Sequence, residues 1–193
     1  LCLRAANSAL MHQGARGYLM QSEVQRRVRE AQFVAIVTPN HVHFPAAKAA
    51  LAGGATWLGT ADIAEALTLR EAGITAPVLC WIHAPDETFD EAVAADITLG
   101  AVSVAQLNAI AAAGHHNKTT PRVHLKLDTG LSRNGSSPEQ WADFMRTAAE
   151  LHASGDLDVE GVMSHLSNTS DAADLEQLKV FTVGLSELAD AGL

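Results

Sequence analysis

Apolar residues arrive along this chain in short runs, and each run is followed by a stretch spaced for a helix. Phe33–Thr38 is a continuous apolar run, the pattern of a strand buried on both faces. Pro39-Asn40-His41 breaks it, Pro45 opens a helix through about Leu51, and Gly53-Gly54 ends that helix. The same pairing then repeats. Thr56–Thr60 is a strand, and Asp62 caps a helix to about Ala72 that Gly73 stops. Val78–Ile82 is followed by the turn His83-Ala84-Pro85-Asp86 and a helix near Glu87–Ala95. Ile97–Val102 leads to a helix capped by Ser103 and ended by Gly114, with His115-His116-Asn117-Lys118 read as a polar loop. Arg122–Asp128 precedes an amphipathic helix over Glu139–Ala153, built on Trp141, Phe144, Met145, Ala148 and Leu151. Val159–His165 precedes a helix over Asp174–Ala191 with a core stripe of Leu175, Leu178, Phe181, Leu185 and Leu188. About six strand–helix units in strict alternation imply an α/β fold with a parallel sheet and right-handed crossovers.

The most informative unit is the fifth. Val123, Leu125 and Leu127 alternate with His124, Lys126 and Asp128, and the strand closes in a turn rich in Gly, Thr, Ser and Asn. Ser137-Pro138-Glu139 supplies an N-cap, a proline at the first helical position and an acid in the first turn. The carboxyl end of this strand therefore carries Lys126, Asp128 and Arg133, where parallel α/β folds place their ligands. Two cations and one carboxylate there suit an anionic or electron-withdrawing ligand.

Composition narrows the options. A hydrophobic content of 48% can fill a core, while 5% aromatics give little surface for stacking bases. The formal charge of −9 argues against nucleic acid or an anionic membrane as the main partner. No apolar run is long enough for a spanning helix, and a reducing cytoplasm fits the two widely spaced cysteines, Cys2 and Cys80. At 193 residues the chain is short for a closed (β/α)8 barrel, which usually takes roughly 250. Residues 1–31 read as a poorly defined helical segment, with a polar helix over Glu23–Glu30, and 32–193 as one barrel-like domain.

The segment Lys126-Leu-Asp-Thr-Gly-Leu-Ser-Arg133-Asn-Gly resembles the central motif of alanine racemases. Trp57-Leu58-Gly59-Thr60, the run Glu65–Ile74 and Glu160–Leu166 extend the likeness over about residues 46–193. The resemblance implies an incomplete (β/α)8 (TIM) barrel, a pyridoxal 5′-phosphate cofactor, interconversion of L- and D-alanine, and a homodimer. It also implies roles for three residues. Lys126 would be carbamylated and hold Arg133, Arg133 would bind the cofactor's phenolic oxygen, and His165 would pack against its ring. The family's second base is a tyrosine from a C-terminal domain not found in these residues, and Tyr18, the only tyrosine, has no motif around it.

Residues 33–51, with Val34–Thr38 and Pro39-Asn40-His41, resemble instead the glucose–fructose oxidoreductase and inositol dehydrogenase group, which would imply an NAD(P)-dependent fragment. Neither that group's Glu-Lys-Pro motif nor a Gly-x-Gly-x-x-Gly cradle is present. A compositional boundary near Gly53-Gly54 separates the two resemblances. Counting back from Lys48-Ala49-Ala50-Leu51, the racemase Schiff-base lysine falls on Ala35, which has no amine. The chain is therefore expected to be an inactive or incomplete racemase, or a non-catalytic cofactor-binding or assembly module.

Overall fold

The computed structural model describes residues 34–36, 44–84 and 86–193. Strand β1 (Val34–Ile36) is followed by helix α1 (Phe44–Ala52), β2 (Trp57–Thr60), α2 (Ile63–Glu71), β3 (Val78–Cys80) and α3 (Asp90–Ala94). Then come β4 (Thr98–Ala101), α4 (Val104–Asn117), β5 (Arg122–Lys126), a 3-10 turn (Pro138–Gln140), α5 (Trp141–Ser154), β6 (Asp158–Met163) and α6 (Asp171–Asp190). The six strands form one sheet in sequential order, and every neighbouring pair is parallel. A sheet that never reverses its order curls in one direction, which is the geometry of a (β/α) barrel wall rather than of a doubly wound sheet. The expected incomplete barrel of six units is the observed fold. The sheet runs without interruption from β1 through β2, so Gly53-Gly54 is a helix end and not a break in the fold. The expected helix Glu23–Glu30, together with Cys2, Tyr18 and His41, lies outside the described residues.

One layer of strand side chains meets the helices. Leu58, Val78, Leu99, Val123, Leu125 and Leu127 are buried against Leu69, Leu107, Ile110, Phe144 and Met145. The other layer faces the barrel axis, where His124 packs on Trp57 with ring centroids 5.6 Å apart. Gly161 makes room for that imidazole, since a Cβ there would sit 3.0 Å from its Cε1. A bulge on β6 sets this register: Val123 faces Val159 and His124 faces Gly161, leaving Glu160 as the extra residue. No helix among the described residues is long and apolar enough to cross a membrane.

Two helix boundaries and one core stripe differ from the sequence expectation. Helix α4 runs through Gly114 to Asn117 and closes on Lys118 in a left-handed conformation. Gly114 is internal because a side chain there would strike the Pro121 ring at 2.5 Å. His115 and His116 are consequently helical residues, paired with Asp156 (2.7 Å) and Asp90 (2.9 Å). Helix α6 starts at Asp171, capped by Ser170, and its core stripe is only partly the expected one. Leu188 is buried, but Leu175 and Leu185 are 54% and 40% exposed. The inward positions are taken by Asp174, Gln177 and Gly184, because the loop after β6 needs hydrogen-bond partners and Trp141 needs space.

His124 makes the protein's stability pH-dependent. Burial pushes its pKa down to about 4, from an ordinary 6.5. The unfolded chain therefore binds a proton that the native state refuses between those values, and stability falls as pH drops through the window. Between pH 7 and 5 this histidine should account for on the order of 2 kcal/mol. Urea unfolding of His124→Gln at the two pH values should show a correspondingly smaller loss than the parent, and equal losses would refute the assignment.

Candidate active site

The carboxyl rim of the barrel wall is built by the loops after β3, β5 and β6. The β5 loop is folded tightly back on its own strand. Ser136 N–H donates to the Lys126 carbonyl (2.8 Å), and Asp128 N–H donates to the Ser136 carbonyl (2.8 Å). Gly135 sits at φ +141° against the backbone of Leu127 and Asp128. The Trp141 indole N–H, from the start of α5, donates to the same Ser136 carbonyl at 2.8 Å in a buried position. Inside the loop, Asp128 Oδ1 accepts from the N–H groups of Gly130 (2.9 Å) and Ser132 (3.0 Å). Partial burial raises the Asp128 pKa, but these backbone donors outweigh it and hold the carboxylate below its ordinary value. Asp128 is thus committed to shaping the loop and is not the ligand-facing charge that the sequence pattern suggested.

The β5 and β6 loops are tied together. The hydroxyls of Thr129 and Ser164 share a 2.7 Å hydrogen bond. Past Ser164, the chain carrying His165 is anchored from α6. Asn168 N–H donates to Asp174 Oδ1 (2.9 Å), Ser167 N–H donates to Gln177 Oε1 (2.8 Å), and the Ser167 hydroxyl donates to Asp174 Oδ1 (3.2 Å). The polar run Ser167–Ser170, read from sequence as available for phosphate, therefore has its first hydroxyl engaged in holding the loop.

These anchors set the placement of the three site residues expected from sequence. Lys126 ends β5 with only 4% of its surface exposed, and burial lowers its pKa. A buried amine is shifted toward its neutral, nucleophilic form. His165, two residues past β6, is lowered first by burial and then by the positive charges of Lys126 and Arg133. Lys126 ends β5, Arg133 lies on the loop that follows it and His165 stands two residues past the neighbouring β6, so all three lie at the carboxyl end of adjacent strands. Arg133 itself is exposed at the turn of the loop.

Two rim residues were not singled out by the sequence. His83, just beyond β3, is pushed to about 4 by burial; the Gly100 carbonyl opposes this and the Lys126 charge adds to it. Its ring stands edge-on to Phe89 at 5.2 Å. Asn134, beside Arg133, has a buried Oδ1. His83 follows an apolar strand run at the ligand-bearing end of a parallel sheet, a position that would have flagged it. Asn134 carried no such signal. On β1, Ala35 pairs with Leu58. Among the described residues no cluster of histidine, cysteine and acid side chains is arranged to hold a metal.

The family described as "Alanine racemase, N-terminal domain" matches residues 22–193. Because that match spans residues 33–51, the stretch goes with the rest of the chain, and the oxidoreductase resemblance read there finds no support. An alanine racemase of Thermobifida fusca is 44% identical over 173 residues, covering 86% of this chain and 46% of that protein. One from Salinispora arenicola is 45% identical, covering 84% and 45%. Among solved structures, the alanine racemase from D-cycloserine-producing Streptomyces lavendulae superposes with a TM-score of 0.81 at 32% identity, over 100% of this chain and 48% of that one. That of Streptomyces coelicolor A3(2) gives 0.79 at 30%, over 96% and 50%. The chain spans about half the length of the curated relatives it matches.

Proposed function

The chain belongs to the alanine racemase N-terminal domain family, and on that premise we propose that its carboxyl rim is part of a pyridoxal-phosphate pocket serving an amino-acid racemase. One observation supports this reading: a buried lysine at the end of β5, a guanidinium on the following loop and an imidazole just past β6 lie at the ligand-bearing end of two neighbouring strands whose loops are tied together. The set fits the wall of an electron-poor ring bearing a phenolic oxygen. Arg133 would donate hydrogen bonds to that oxygen, and His165, disfavoured as a cation by its two neighbours, would pack on the ring as a neutral imidazole. When bound, pyridoxal phosphate supplies an electron sink that acidifies the α-proton of an amino acid.

Lys126 has a distinct part. Its amine, made less basic by burial, is suited to add carbon dioxide. The ammonium first gives up a proton. The neutral amine then forms a nitrogen–carbon bond as one C=O π bond of carbon dioxide opens, and a second proton leaves the nitrogen. The resulting carbamate anion can hold Arg133 by charge-assisted hydrogen bonds. Alanine as substrate, a second copy of the chain as partner and the cytoplasm as compartment belong to the same proposal.

A racemase of this type joins its cofactor through a lysine on the first strand, and counting back from Lys48-Ala49-Ala50-Leu51 puts that position at Ala35, which has no amine. This favours cofactor binding without turnover by these 193 residues. The purified chain with pyridoxal phosphate should racemise alanine no faster than the free cofactor does. Borohydride reduction followed by peptide mass mapping should find no modified lysine. Turnover above background would overturn the inactivity, and a label on Lys126 would replace its role as wall residue with that of covalent anchor.

A further inference from the structure

Helix α6 buries a glutamine where its core stripe would take an apolar residue. Gln177 is 9% exposed on the inward side of a 20-residue helix, and burying an amide costs free energy unless it finds partners. Its neighbours lie on two different loops. Oε1 accepts the Ser167 N–H of the β6 loop at 2.8 Å. Only the oxygen of the amide can receive an N–H, so this bond fixes which way the side chain is turned. The same side chain also lies over the β5 loop. Nε2 and Cγ are 3.6 Å and 3.7 Å from where a Cβ of Gly130 would stand. Beside Gly130, Thr129 is 3% exposed, and its hydroxyl is the one that meets Ser164 Oγ at 2.7 Å.

Helix α6 is a fixed support for these contacts. Gly184 seats it against the end of β5, since a Cβ there would be 2.7 Å from Leu127 Cδ1 and 3.2 Å from the Trp141 ring. One turn before Gln177, Asp174 Oδ1 accepts from Asn168 N–H (2.9 Å) and from the Ser167 hydroxyl (3.2 Å). Leu127 packs with the helices, so alternation turns the neighbouring Lys126 side chain the other way, toward the barrel axis. Gln177 therefore stands on the helix side of the rim, and its influence on the axis side passes through the two loops.

We propose that Gln177 and the Thr129–Ser164 hydroxyl pair act as one clamp, which holds the loop carrying Arg133 at a fixed spacing from the loop carrying His165. These are positioning residues, and only their effect on binding rests on the cofactor pocket proposed above. The test takes the full chain as the parent and as the variants Thr129→Val, Thr129→Ser and Gln177→Met. Pyridoxal phosphate titration should show Thr129→Val and Gln177→Met each about 5-fold weaker than the parent, the equivalent of one hydrogen bond. Thr129→Ser keeps the hydroxyl and should bind as the parent does. Amide hydrogen exchange without cofactor supplies the second measurement. Gln177→Met should speed exchange at Ser167 on the β6 loop and also at Gly130 and Ser132 on the β5 loop. Faster exchange confined to Ser167, parent-like affinity in Thr129→Val, or equal weakness in Thr129→Ser and Thr129→Val would overturn the clamp. Should the parent itself not bind pyridoxal phosphate, the cofactor reading fails, and the exchange pattern alone decides the clamp.

Discussion

Trp141→Ala should lower the free energy of unfolding by about 4 kcal/mol, the cost of emptying a large buried aromatic site. Trp141 is 2% exposed and does two things at once. Its ring packs against α6 at Gly184, where a Cβ would meet it at 3.2 Å. Its indole N–H holds the Ser136 carbonyl at 2.8 Å, the same carbonyl that accepts from Asp128. Losing the ring leaves a cavity under the β5 loop and removes one of the two donors that fix its return to the strand. Trp141→Phe separates the two contributions: most of the packing stays, only the hydrogen bond goes, and the loss should fall to about 1–2 kcal/mol. Chemical denaturation measures both. An alanine variant no less stable than the phenylalanine variant would show that the ring is not part of the core.

Gly135→Ala should be the most damaging single-methyl change at the rim, with a loss of about 3 kcal/mol from strain and overpacking combined. The residue lies at φ +141°, and an added Cβ would sit 2.6 Å from the Asp128 nitrogen and 2.9 Å from the Leu127 carbonyl carbon. Both are backbone atoms of the strand end, so relief requires moving Lys126 or opening the loop that carries Arg133. Gly73→Ala is the matched control. It also has positive φ, +77°, but open space around it, and its cost should be near the ordinary 1 kcal/mol or so for replacing glycine in the left-handed region. Thermal unfolding of the pair decides the matter, since equal losses would mean that dihedral strain alone operates and the close approach to β5 does not.

Both variants act on features that sequence reveals unevenly. The alternation of units was readable because a parallel strand covered on both sides is a plain apolar run, and because Asp62, Ser103 and Ser137 announce the next helix. The Lys126–Arg133 segment and His165 were readable as a motif, since one short loop must carry several special residues in fixed order. Residues that depend on distant packing were not. Gly114 looks like a helix end until Pro121 is placed against it. Asp174 and Gln177 look like the polar face of α6 until the loop after β6 draws them inward to bond Ser167 and Asn168. His83 and Asn134, far apart in the chain, come to one cavity only because β3 and β5 flank β4 in a curling sheet.

The proposal that Lys126, Arg133 and His165 surround one cofactor ring is most directly tested by equilibrium titration of the full chain with pyridoxal phosphate, read by quenching of tryptophan fluorescence. The parent protein should bind saturably. Arg133→Ala and His165→Ala should each bind about 10-fold or more weakly, in line with the loss of a charge-assisted or stacking partner. Lys179→Ala, which removes an exposed lysine paired with Glu176 on α6, should bind as the parent does. Equal affinity in all four proteins, or no saturable binding in any, would contradict the account.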